Sequence, residues 1–280
     1  MIKVDFPEPR SELWARWKAR AEAAQRQHSP GADLNDSVYR AVRRWLLLAF
    51  ARKCAYCERS IRGHAVRVDH FRPKRGIRRL GGEAVVLRAK PAHHPGYHFL
   101  VYDWRNLLPS CEQCNLAKSN LFHTADGWWA EGHPELEREK PLLVHPVRED
   151  PQGLLRFERD GHVYPGARDD ARARYVIQTL DLNREELIND RAEAWELTEL
   201  EMESLLLWTR APRPDQERLF NRAAERFRTI KRGLAEFTAL KRLAILPGEK
   251  ALQDEWAEQE RRRRTLLGAA GAAQPMVRAP

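Results

Sequence analysis

Cysteine and methionine are scarce in this sequence, with four and three residues respectively among 280. Four cysteines set in two close pairs exclude the disulfide-dense framework of a small secreted domain. Long apolar runs are missing too. The longest, such as Trp45-Leu46-Leu47-Leu48-Ala49-Phe50, fall far short of the ~18 residues a membrane helix needs. Residues 1–25 alternate charge and tryptophan without a continuous apolar stretch, so no secretory signal is expected. There is no long internal repeat and no G-x-x-x-x-G-K-[ST] phosphate loop, so ATP hydrolysis is not expected of this chain. What these absences leave is a soluble, cytoplasmic protein of one or two domains, with no membrane contact.

Charge is what the sequence has, and it is unevenly placed. The formal net charge is +9 at pH 7, with a pI near 9.6. Residues 1–48 carry 9 basic and 6 acidic side chains, and residues 126–280 carry 26 and 29, so the flanks cancel at +3 and −3. Residues 49–125 hold 14 basic against 5 acidic side chains, which accounts for the whole excess. Between Arg59 and Lys90 ten basic residues face only Asp69 and Glu83. A basic block confined to one segment is the footprint of a polyanion binder; a solvated basic loop carries the same charge.

All four cysteines fall in that segment, as Cys54-Ala55-Tyr56-Cys57 and Cys111-Glu112-Gln113-Cys114. Two C-x₂-C pairs in a reducing compartment point to a tetrahedral structural zinc site, each pair supplying two thiolates from a tight knuckle. Disulfides do not suit that compartment. A redox C-x-x-C would explain one pair and not both. The 53 residues between the pairs exceed the ~15–20 of a compact zinc ribbon, so a segment is inserted.

Periodicity supplies a coarse organisation. Trp14, Trp17, Ala21 and Ala24 predict a helix over 11–27, and Val38, Val42, Trp45, Leu46 and Ala49 a second one entering the first knuckle. Ala65–His70 alternates as a short strand. Residues 72–98 read as a long loop with a strand at Val85–Arg88, and a short helix is expected from Asn115 to Phe122. Small strands or loop are expected over Pro141–Pro165. Asn183 and Glu186 have capping-box spacing ahead of Ile188, Ala192, Trp195, Met202 and Leu206. Asp215 is placed to cap a helix through Leu219–Phe237 that Pro247-Gly248 ends, followed by a charged helix to Arg264. The divisions are an N-terminal helical segment 1–48, a central module 49–125, a mostly helical region 126–268 and a disordered tail 269–280.

Between the knuckles lie residues suited to phosphodiester chemistry. Asp69 and Asn115 are hard oxygen donors for a divalent cation such as Mg²⁺ or Mn²⁺. His70 titrates near neutrality and can deprotonate water. Strand alternation would send Asp69 and His70 to opposite faces, so the chain must bend there, and Pro73 is compatible with a bend. The ordered set Cys54-x-x-Cys57, Asp69-His70-Phe71-Arg72-Pro73-Lys74, Tyr102-Asp103-Trp104-Arg105-Asn106-Leu107 and Cys111-x-x-Cys114-Asn115-x-x-Lys118 resembles the zinc-stapled HNH endonucleases. Val68–Lys74 and Leu107-Leu108-Pro109-Ser110-Cys111 resemble, more narrowly, the HNH nucleases of Septu-type and retron-associated anti-phage defence systems. Looser matches follow in Pro141-Leu142-Leu143 and Leu182-Asn183-Arg184.

The resemblance implies an α+β fold, a compact ββα-metal module with a zinc-knuckle staple embedded in a mostly helical chain. It makes Asp69 a ligand of the catalytic divalent ion and His70 the general base. Asn106 braces the loop that orients the base, and Asn115 is the second protein ligand, where many relatives have histidine. Cys54, Cys57, Cys111 and Cys114 hold structural zinc. Arg72, Lys74, Arg75, Arg78, Arg79 and Lys118 hold phosphates. The insert adds His93, His94 and His98, any of which could approach the metal. The implied activity is hydrolysis of phosphodiester bonds, in DNA rather than RNA, beside a partner ATPase. The alternative is a zinc-dependent nucleic-acid-binding or scaffold module without catalysis. The near-neutral flanks either dock a partner or pack around the central module.

Overall fold

The computed structural model describes residues 1–61, 66–86, 92–168, 170–210, 215 and 217–272. The fold is α+β, with eight helices and two small antiparallel sheets among those residues. No helix among them is long and apolar enough to cross a membrane.

Helix α1 (Glu12–Gln27) starts where the Ser11 side chain accepts a hydrogen bond from the Trp14 amide at 3.2 Å, the usual service of an N-cap serine. Its buried positions Trp14, Trp17 and Ala21 fall on one face. The second expected helix is split by a single tight turn, Arg40–Val42, into α2 (Asp36–Tyr39) and α3 (Arg43–Ala49). Trp14 meets Trp45 and Trp104 edge-on, with ring centroids 5.1 and 5.4 Å apart. The same apolar cluster takes in Val68, Val101, Tyr102 and Leu107. The N-terminal helices and the central segment therefore bury one core, which fixes α2 beside the strand that follows.

Strands β1 (Arg67–His70) and β2 (Leu107–Ser110) pair antiparallel, with Asp69 opposite Leu108 and His70 opposite Leu107. Helix α4 (Glu112–Lys118) follows at once, its first turn capped by the Cys111 sulfur, which accepts from the Cys114 amide at 3.5 Å. The helix therefore starts three residues earlier than periodicity suggests, because a cysteine side chain serves as its cap. Ala65 of the expected strand lies outside the described residues. So does Arg88 of the expected strand at Val85–Arg88, where the structure has only isolated bridges such as Val86 with His93. The insert is stitched at its base by Gly76 to Pro95 and Tyr97 to Pro73. Gly96 is required there: its φ is +87°, and a β-carbon would lie 2.6 Å from the Arg75 amide nitrogen.

The C-terminal half holds the hairpin β3 (Leu155–Phe157) and β4 (Val163–Pro165), then α5 (Ala171–Thr179), α6 (Glu185–Arg210), α7 (Glu217–Lys231) and α8 (Thr238–Ala272). Three expectations are corrected. Asn183 caps nothing: its amide accepts from the Val163 N–H and donates to the Val163 carbonyl, both at 2.8 Å, closing the edge of β4. The helix expected to run on from Leu219 past Phe237 stops at Lys231, because Gly233 and Phe237 both adopt positive φ. Pro247-Gly248 does not end a helix. Pro247 lies inside α8, where a proline normally costs a hydrogen bond. Gly248 beside it lets α8 come close to α6: a β-carbon there would come 2.5 Å from Met202 Cγ. Close packing of α8 on α6 around Met202, Leu205, Ile245 and Leu252 thus overrides local propensity. Of the expected tail 269–280, residues 269–272 complete α8 and the rest lies outside the described residues, as does Pro214.

Candidate active site

The two knuckles converge. The sulfurs of Cys54, Cys57, Cys111 and Cys114 are all buried and within 4.8 Å of one another, so the four cysteines can hold a metal ion such as zinc. Cys57 and Cys111 Sγ are 3.8 Å apart. A disulfide needs about 2.05 Å. A tetrahedral ion with metal–sulfur bonds of ~2.3 Å separates its ligands by roughly 3.8 Å, so the donor set and its spacing fit zinc. Burial pushes the Cys54 thiol well up, whereas hydrogen bonds from the other three cysteines hold the Cys111 thiol down. The Ala55 amide donates to the Pro109 carbonyl at 2.8 Å, tying the first knuckle to β2.

Beside this cluster a cleft of about 640 Å³ opens between α2–α3 on one wall and β1 with α4 on the other. Asp69, His70, Lys74 and Asn115 all line it, although β1 stays a regular strand through His70, so the bend expected at Asp69-His70 lies one residue later. The bend begins at Phe71, whose amide donates to the Asn106 carbonyl at 2.8 Å. The buried Asn106 side chain then takes the next turn in hand. Its oxygen accepts from the Arg72 amide at 2.9 Å, and its nitrogen donates to the Arg72 and Leu100 carbonyls at 3.1 and 3.4 Å. Asn106 thus lies behind the cleft as a brace.

His70 is 5 % exposed. Its Nε2 sits 2.9 Å from the Val101 carbonyl, which can only accept, so Nε2 carries the proton and Nδ1 is left as an acceptor. Burial, and then the nearby Lys74 charge, push the imidazole pKa down to about 3, which keeps it neutral and overturns the expectation of a ring that titrates near neutrality. Tyr39 stacks on the ring at 5.1 Å and 10° and is anchored by its hydroxyl donating to the Val68 carbonyl. Asp69, 6 % exposed, accepts from Tyr56 Oη at 2.5 Å and pairs with Lys118 Nζ at 3.1 Å. Asp69 and Asn115 both line the cleft, and both Asp69 oxygens are already met by Tyr56 or Lys118.

Several expected phosphate contacts lie elsewhere. Lys118 is fully buried, donating to the His70 carbonyl at 2.7 Å as well as pairing with Asp69. Arg72 is buried against Glu139, with Nε to Oε2 at 2.5 Å. Neither reaches the surface, because each answers a buried carboxylate that would otherwise be unpaired. Arg75 is exposed and pairs with Asp33 at 3.1 Å. Arg78 and Arg79 are exposed on the insert, Arg79 lying over the Trp129 ring at 5.5 Å. None of these three lines the cleft. The insert histidines stay away from it too. His94 is held by the Ala130 carbonyl and the Gly96 amide, and neither His93 nor His98 is among the lining residues.

The cleft's own cations are Arg40, Arg43, Arg67 and Lys74. Arg40 and Arg43, like Tyr39, come from the N-terminal helices and were not among the residues singled out in the sequence. Their helical spacing placed them on a helix; nothing in it placed that helix over β1. Tyr56 sits inside a knuckle whose cysteines drew the attention.

No family model matches this chain. It is 31 % identical over 169 residues to Septu protein PtuB of Bacillus mycoides (strain KBAB4), an alignment covering 59 % of this chain and 55 % of that protein. It is 30 % identical over 150 residues to Septu protein PtuA of the same strain, covering 52 % of this chain and 20 % of that protein. The chain has homologues among the Septu proteins, and its matches span about half the length of PtuB and a fifth of PtuA.

Two predictions follow from the buried charges. His145, like His70, is held neutral: the Val147 amide donates to Nδ1 at 3.3 Å, Nε2 faces the Arg105 carbonyl at 3.1 Å, and burial lowers its pKa to about 3. Unfolding returns both rings to near 6.5, so below that pH the unfolded chain binds more protons and stability falls as pH drops from 6.5 towards 3. Each ring costs about 2 kcal/mol by pH 5. Urea midpoints at pH 7.5 and 5.0 should show this loss, and His145→Gln should remove about half of it. Lys118→Met should cost ~3–5 kcal/mol of stability by leaving Asp69 unpaired, read as a lowered denaturation midpoint, rather than merely weakening nucleic-acid affinity.

Proposed function

We propose that this chain is a metal-dependent endonuclease of the HNH class that hydrolyses phosphodiester bonds in DNA, working in a bacterial anti-phage defence system beside a partner ATPase. The observation that carries the reading is the state of His70. Its Nε2 is committed to the Val101 carbonyl, and the ring shares one cleft with Asp69 and Asn115. Nδ1 is then the nitrogen that takes a proton from water as the water oxygen attacks phosphorus and the P–O bond to the leaving oxygen breaks. Tyr39 and the Val101 carbonyl fix the plane of the ring, and Asn106 fixes the loop behind it. Lys74 and Arg43 supply positive charge along the cleft for flanking phosphates, whereas Arg40 and Arg67, which also line it, are paired with Asp36 and Glu112. A divalent cation held by Asp69 and Asn115 would neutralise charge on the scissile phosphate and the leaving oxygen. The strand–strand–helix order of β1, β2 and α4 beside four clustered cysteines supports the ββα-metal reading, with zinc as the staple. The Septu names of the relatives support the defence setting, and two differently named Septu proteins support a system of more than one component.

A second reading, a nucleic-acid-binding or scaffold module without catalysis, is favoured by the Asp69–Lys118 pair, which already sets a cation beside the carboxylate. Cleavage assays on plasmid, single-stranded DNA and tRNA, with Mg²⁺, Mn²⁺ or a chelator, separate the two. Wild-type protein should cut DNA only with a divalent cation. His70→Ala should lose ~10²–10⁴ in rate while keeping its fold and its cysteine-bound metal. Equal cleavage by wild type and His70→Ala would contradict the nuclease reading.

A further inference from the structure

Leu182-Asn183-Arg184, singled out in the sequence, takes no part in the cleft. It lies against the four cysteines. Asn183 closes β4, which seats the following residue: Arg184 aims one terminal nitrogen at Cys114 Sγ, 3.8 Å away, and the other at Cys111 Sγ, 4.0 Å away. Its remaining contacts are backbone carbonyls, those of Leu180 and Asp181. Seven residues on, Arg191 is 1 % exposed. It donates to the Gly161 and Leu182 carbonyls at 3.3 and 2.6 Å, and its buried Nε has no partner. Its guanidinium lies over the Phe157 ring at 5.7 Å, and the charged groups around it include the Cys57 and Cys114 sulfurs, Arg184, Glu58 and the terminal amine. Glu58 Oε2 accepts from the Ala239 amide at 2.9 Å and faces the terminal amine, and its Oε1 lies 4.0 Å from Lys53 Nζ. Among the described residues no carboxylate pairs with either guanidinium.

Two buried or half-buried cations without acid partners are costly unless some other negative charge is present. A divalent ion in four thiolates leaves two negative charges inside the protein, against two guanidiniums. We propose that Arg184 and Arg191 are the counter-charges of a four-thiolate metal centre, so that metal retention and the seating of β4 and α6 against the knuckles depend on each other. This rests on the metal reading of the cysteine cluster and is independent of the nuclease reading. Groups that contact metal ligands from outside set affinity by holding the ligands in place and charged. Here the thiolates of Cys111 and Cys114 are the ones so held.

The test uses the full chain without nucleic acid. Zinc content is measured first, and then the rate of zinc release to a colorimetric chelator. Wild-type protein should carry one zinc per chain. Arg184→Gln should release it about 10–100-fold faster, and Arg184→Lys, which keeps the charge and loses the fork, should fall between. Arg59→Gln is the control, because Arg59 joins the knuckle to α6 through Asp190 without touching a sulfur; it should release zinc at nearly the wild-type rate. Arg184→Gln releasing zinc at the wild-type rate would overturn the proposal. So would Arg59→Gln releasing it as fast as Arg184→Gln, since loosened docking alone would then suffice. A wild-type chain that carries no metal overturns the metal reading and this inference with it.

Discussion

Four sulfur atoms gathered within 4.8 Å are the constraint on which the rest of this molecule hangs. A two-stranded sheet with four residues in each strand is too small to stand alone in water. Here the first knuckle is tied to β2 by a backbone hydrogen bond, and the second knuckle is also the cap of α4. Strand, strand and helix are thereby held to one another at the end next to the cleft. The same knuckle reaches the other way. Lys53 donates to the Gly233 carbonyl at 2.6 Å and to Thr238 at 3.0 Å, and Glu58 accepts from the first turn of α8. The start of α8 and the turn before it therefore rest on the first cysteine knuckle, beside the strands that carry the cleft.

Charge follows a different logic from the one its abundance suggests. The basic excess of residues 49–125 reads in sequence as a binding surface, yet much of it is answered by acidic side chains of the same fold, at the surface as well as inside. Arg59 pairs with Asp190, Arg67 with Glu112, Arg72 with Glu139 and Arg75 with Asp33. Lys118, outside the densest run, is consumed by Asp69. The cations along the cleft include Arg43, and Arg40 in its pair with Asp36, from a segment whose net charge is only +3. A count of charges along the chain measures how much there is; pairing across the fold decides how much is free for a polyanion.

What was legible in the sequence was whatever depends on spacing along the chain. Paired cysteines announce their cluster, because a C-x₂-C knuckle is a local object whose partner needs only the same form. Helices α1, α3 and α6 show in the period of Trp14 and Trp17, of Trp45 and Leu46, and of Ile188 to Leu206. Asp69 and His70 stand next to each other in a compact motif, and both line the cleft; the buried Asn106 bonds to the Arg72 backbone just beyond them. The misreadings concern side chains with two possible partners. Asn183 has the spacing of a cap and is claimed by Val163 across the fold. Pro247-Gly248 has the composition of a stop and is carried through by packing against Met202. Arg72 and Lys118 look like phosphate ligands and are drawn inward by Glu139 and Asp69. Tyr39 escaped notice for the opposite reason: its importance arises only when α2 comes to lie over His70.

The central claim is that the cleft holds a divalent ion between Asp69 and Asn115 while the cysteines hold zinc. Anomalous diffraction from crystals grown with Mn²⁺ and a short DNA duplex tests it most directly. Two metal signals should appear: a zinc signal ~2.3 Å from all four sulfurs, and a manganese signal ~2.0–2.3 Å from an Asp69 oxygen and the Asn115 oxygen, with a phosphate oxygen completing the shell. A cleft without manganese, in which Asp69 stays paired with Lys118 alone while DNA lies along Arg40 and Lys74, would contradict the claim and leave a binding module in its place.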